Sequence, residues 1–160
     1  MFYRMAILSA FVAAGFQMLA PAQIATNDTQ ILQGACDASS HTAEGPLGAD
    51  LTKRQSRFLC DSAVITFLDD HNSHLLIQFS EHAAVHAPIL GFAGQVEADG
   101  IMMPVDHVYF EPGKAASVSD GWCKFFFEAR HMTNIVCGVK ADEAGRRTVA
   151  VVVFNAAPGQ

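Results

Sequence analysis

The 160-residue sequence predicts an all-β fold: an antiparallel meander of about seven or eight strands, closed as a small barrel or stacked as a two-layer sandwich. Three observations carry this expectation. From Ser62 onward, short apolar runs rich in Val, Ile and Phe alternate with turns built of Gly, Asp, Asn and Pro, which is strand punctuation. No segment sustains an apolar stripe at the helical period. Successive strands joined by short turns pair as antiparallel meanders, and this number in one domain makes a barrel or a sandwich.

The elements follow in order. Residues 1–22, MFYRMAILSAFVAAGFQMLAPA, read as a secretory signal peptide. Arg4 gives the positive start, Ala6 to Ala20 the apolar stretch, and Ala20-Pro21-Ala22 the small residues of a cleavage site. The apolar run of about 15 residues is short of the roughly 20 a membrane helix needs, so no stable membrane span is expected after its removal. Lipidation at Cys36 is disfavoured because Gln33-Gly34-Ala35 precede it where a bulky aliphatic residue is required. Residues 23–35 are polar and read as a flexible lead-in. A disulfide-stapled β domain is expected over 36–160. Within it, Asp37 to Asp50 reads as a surface loop and Leu51 to Arg57 as a helical turn.

Strands are then expected at Ala63–Leu68, His74–Ser80, Ile89–Val96 and Ile101–Phe110. Trp122–Glu128, Ile135–Lys140 and Arg147–Phe154 complete the set. Glu81–Pro88 fits a helical turn or a strand extension, and Ala115–Asp120 fits a loop or a short strand. Pro104, which cannot donate to a ladder, should mark an edge or a bulge. TVAVVVF, from Thr148, is apolar on both faces and reads as a central, fully covered strand. The turns EADG and DEAG each place a glycine, Gly100 or Gly145, where a positive φ is needed.

Charge narrows the function classes. Loss of Arg4 with the signal takes the formal charge from −6 to −7. An acidic chain without a basic cluster is not a nucleic-acid binder, because phosphates need Lys and Arg gathered on one face. The basic groupings, Lys53-Arg54 with Arg57 and Arg146-Arg147, read as solvated faces.

Four cysteines in an exported chain imply disulfides, and four allow three connectivities. The stretch GWCKFFFEARHMTNIVCG narrows them. Folded as a hairpin about Arg130, it pairs residues whose numbers sum to 260: Cys123 with Cys137, Phe125 with Ile135, Phe127 with Thr133. Opposed Cα atoms lie about 4.5–5.5 Å apart, within the roughly 4.4–6.8 Å a disulfide accepts. Cys123–Cys137 is therefore permitted, and Cys36–Cys60 follows by elimination. Neither paired zinc knuckles nor a CxxC redox spacing occurs, and His131 falls at the turn tip.

No catalytic centre or cofactor site emerges. There is no G-x-S-x-G and no phosphate loop, and Ser117, Ser119 and Asp120 read as ordinary loop residues. Asp106 and His107 are neighbours on opposite strand faces, which argues against an acid–base pair. His71, His74, His82 and His86 are the candidate metal ligands. His82 and His86 share a face only on a helix, since four strand residues span about 13 Å. Surface histidines on turns are the preferred reading of all four. Met102-Met103 reads as strand packing, and Trp122 with Phe125 to Phe127 as core rather than cavity lining.

The frame Gly121-Trp122-Cys123 and Ile135-Val136-Cys137 resembles the late hairpin of small exported, periplasmic two-disulfide β proteins of Gram-negative bacteria. That resemblance implies a compartment but no activity. The chain is also similar in size, export and disulfide to periplasmic lysozyme-inhibitor β-barrels. It lacks an evident Ser-Gly loop of the kind that plugs the enzyme cleft. The sequence thus points to a binding or interaction module for an unknown protein or small ligand. Its alternatives are an inhibitor or partner of an envelope enzyme, and a histidine-based metal binder.

Overall fold

The structure, a computed structural model, describes residues 29–69, 73–80 and 89–159. The expected signal peptide and the tract Glu81–Pro88 lie outside these residues. The described elements are β1 (Thr29–Cys36), β2 (His41–Pro46), β3 (Gln55–Arg57), β4 (Ser62–Phe67), β5 (His74–Ser80) and β6 (Leu90–Gln95). They continue with β7 (Met102–Glu111), β8 (Lys114–Ser117), β9 (Asp120–Glu128), β10 (His131–Glu143) and β11 (Arg146–Ala156). Eight of them close an antiparallel barrel in the order β1-β4-β5-β6-β7-β9-β10-β11, with β11 returning to β1. The fold is therefore the barrel of the two expected architectures.

The remaining strands sit at two forks. β11 pairs β1 through Phe154–Ala156 and β2 through Arg146–Val151, and β3 adds to β2. β7 pairs β9 through Met102–Pro104 and β8 through His107–Glu111. Pro104 is the last residue of the β9 ladder, and a bulge follows between Val105 and His107, where β7 faces β6.

Inside, alternate residues build a filled core: Ile65, Leu75, Ile77, Phe79, Phe92, Met103, Val108, Ile135, Val152 and Phe154 are all fully buried. Phe79 packs edge-on against Phe92 with ring centroids 5.9 Å apart. Cys123 and Cys137 are opposite partners within this core and are bonded, with Cα atoms 4.0 Å apart. Cys36 is bonded to Cys60 and ties the β2–β3 excursion back to β1.

Several expectations change. Thr29 to Ala35, expected in the lead-in, belong to β1, and the domain reaches back at least to Thr29. The inward positions of β1 are Leu32, Gly34 and Cys36. A Cβ on Gly34 would stand 2.2 Å from the Asn155 carbonyl oxygen and 2.6 Å from the Phe154 ring, so the glycine lets β1 close against β11. The expected loop Asp37–Asp50 contains β2, and Leu51–Arg57 ends in β3 rather than forming a helical turn. TVAVVVF is central but not fully covered. Ala150, Val152 and Phe154 are buried, while Val149, Val151 and Val153 are half-buried on the outer face. Phe127 faces Met132, not Thr133, because the turn is Ala129-Arg130 and a bulge at Thr133 restores the predicted register.

Candidate functional site

Buried side chains of the described residues fill the barrel interior, and a cleft lies at its mouth. At the end carrying the β10–β11 turn, a cleft of about 580 Å³ lies between β2, β3, the start of β6 and the end of β7. A smaller lobe of about 210 Å³ continues it toward Glu143 and Arg146, and Glu44, Phe110 and Thr148 line both. The floor follows from strand alternation. Thr148 continues the inward series of Ala150, Val152 and Phe154, and Phe110 that of Val108. Buried Phe58 and Leu90 close the bottom. Clefts of roughly 300–1,000 Å³ with an apolar body and a few polar groups are the usual ligand sites, and barrel mouths are a preferred place for them.

The rim is charged. Arg146 Nε donates to Glu44 Oε1 at 2.7 Å, joining the β10–β11 turn to β2. Arg147 donates two hydrogen bonds of 2.7 Å to Asp142 across the same hairpin. These bonds hold the Asp142 carboxyl below its ordinary range and raise the guanidinium. Across the cleft stand Arg54 and Arg57, expected to form a solvated face. Both are exposed, but both line the mouth. Beside them Gly45 makes room for Leu51, whose Cδ2 would lie 2.8 Å from a Cβ there, with Arg54 Cδ at an ordinary 3.4 Å. Asp37 is held below its ordinary range by the backbone N–H and hydroxyl of Ser39, with the charge of Arg57 a smaller contributor.

A second cluster overturns an expectation. Asp106 and His107 do not lie on opposite faces. The bulge carries both outward, and His107 Nδ1 lies 2.8 Å from Asp106 Oδ1. From β5, His74 Nε2 comes within 3.3 Å of Asp106 Oδ2, with the spacing of an ion pair but not the alignment of a hydrogen bond. The reach across β6 passes Ala93, a small residue on the outer face opposite His107. All three cluster members keep a third or more of their side-chain surface exposed. Of the expected metal ligands, only His74 is among the described residues. His71, His82 and His86 lie outside them. Among the described residues, no three His, Cys, Asp or Glu gather as a metal-binding group.

The third feature is aromatic. Phe125 is buried, but Trp122 and Phe126 are 43% and 40% exposed on the outer face of β9, correcting their expected place in the core. Met102, Val136 and Val153 extend this apolar face over neighbouring strands, and Lys124 Nζ sits 5.2 Å from the Phe126 ring centre. Single-face alternation carries no sign of which face is inside, so a run of three phenylalanines hides this division.

No family model, curated protein or solved structure matches the chain. The two disulfides indicate an oxidising, extracytoplasmic setting. Among the described residues, no helix is long and apolar enough to cross a membrane. Neither the cleft nor the aromatic face carried a local sequence signal. The mouth gathers residues from 42 to 148, and only the grouping Lys53-Arg54 with Arg57 had marked any part of it.

Proposed function

We propose that the protein is an exported binding module, periplasmic or secreted, that takes a small ligand at its barrel mouth and has no catalytic centre of its own. The observation that carries this reading is the 580 Å³ cleft, with its apolar floor and polar rim, above a solid core. A titration calorimeter tests it with n-octanol, an uncharged apolar probe. Saturable binding is expected, and it should weaken about tenfold or more in a folded Thr148→Trp variant whose indole fills the cleft. Absence of saturable heat, or equal binding by the variant, would contradict it.

A second reading is favoured by the exposed pair Trp122 and Phe126. It is a partner or inhibitor of an envelope enzyme, docking through the outer face of β9. Aromatic anchors of this kind dominate protein interfaces. This reading predicts interaction at β9 and leaves the mouth unused.

A further inference from the structure

We infer that the ligand of the barrel mouth is a small amphiphile with one oxyanion head, carboxylate or phosphate. Arg54 and Arg57 hold the head, and the apolar body lies on Phe58, Leu90 and Phe110. The inference rests on the mouth being the binding site and adds the chemical class of what enters it.

The argument is one of charge placement. The chain is acidic, with a formal charge of −6. Lys114, Lys140, Arg146 and Arg147 are each paired with a carboxylate. Arg54 and Arg57 make no ion pair among the described residues, and both line one cleft. Lys53, Lys124 and Arg130 also make no ion pair among the described residues, but none of them lines the mouth. The cleft therefore combines an apolar floor with two guanidinium groups that make no ion pair among the described residues. Guanidinium matches carboxylate and phosphate oxygens by paired N–H donation, and such charge-assisted bonds are about twice as strong as neutral ones. Thr42 and Ser56, on the same wall, offer hydroxyls to the remaining oxyanion lone pairs.

The test uses the full exported chain and three eight-carbon probes: octanoate, octyl phosphate and n-octanol. Either anion is expected to bind about tenfold more tightly than octanol, and the tighter of the two identifies the head. The double variant Arg54→Gln/Arg57→Gln should lose that advantage, so that it binds the anions no more tightly than octanol. Lys53→Gln, altering an exposed lysine outside the mouth, should change neither. Anions binding no better than octanol, or an advantage that survives the double variant, would overturn the inference and leave the mouth as a site for neutral ligands. Failure of octanol and both anions to bind would instead remove the mouth reading on which it rests.

Discussion

Ser40 shows how much of this barrel depends on one side chain. β11 changes partner from β2 to β1 at Val153, where no strand residue completes the ladder. The fully buried hydroxyl of Ser40 fills the gap, accepting the Val153 N–H at 3.0 Å and lying 3.3 Å from its carbonyl. Ser40→Ala leaves that N–H unsatisfied and should cost about 1–3 kcal/mol in urea unfolding. A loss below a few tenths would contradict this role. Asp142 carries a pH prediction. Arg147 lowers its folded pKa, so folding favours the ionised form. That contribution is complete above the unfolded value of about 3.9 and is lost as pH falls through the folded one. The melting-temperature gap between wild type and Asp142→Asn should be constant at neutral pH and narrow as the pH falls below about 3.9. A gap unchanged at about pH 2 would refute the linkage. The Asp106 cluster was not legible because strict alternation was assumed. One bulge residue moved Asp106 to the side of His107.

At the scale of elements, legibility followed apolar content. β4, β5, β6, β7, β9, β10 and β11 announce themselves through Val, Ile, Leu and Phe runs. β1 does not, because its inward residues are Leu32, a glycine and a cysteine between glutamines. β2 and β3 are too polar and too short to separate from loop. The cysteine register was readable despite a misplaced turn. The two-residue turn Ala129-Arg130 shifts the pairing by one, and the bulge at Thr133 shifts it back before Phe125. Both turn residues hold positive φ, 46° and 75°, a conformation that suits Asn-Gly far better than Ala-Arg. Ala129→Asn/Arg130→Gly should therefore raise unfolding stability by about 1 kcal/mol. A loss of stability would mean that the side chain of Ala129 or Arg130 contributes more than its backbone strain costs.

For the whole molecule, barrel and sandwich could not be separated from sequence, because closure is a non-local event. β1 must pair with both β4 and β11, joining Gly34 to Ala156 across nearly the whole described chain. The same closure creates the mouth, whose wall is drawn from β2, β3, β6, β7 and β11. Filling the interior with Phe79, Phe92, Phe125 and Phe154 leaves binding to the ends and outer faces. The most direct test of the mouth as binding site is residue-resolved amide chemical-shift mapping of the labelled protein during titration with n-octanol. Saturable shifts are predicted at Ala43, Phe58, Leu90, Phe110 and Thr148, with Trp122 and Phe126 unmoved. Shifts confined to β9, or none that saturate, would contradict it.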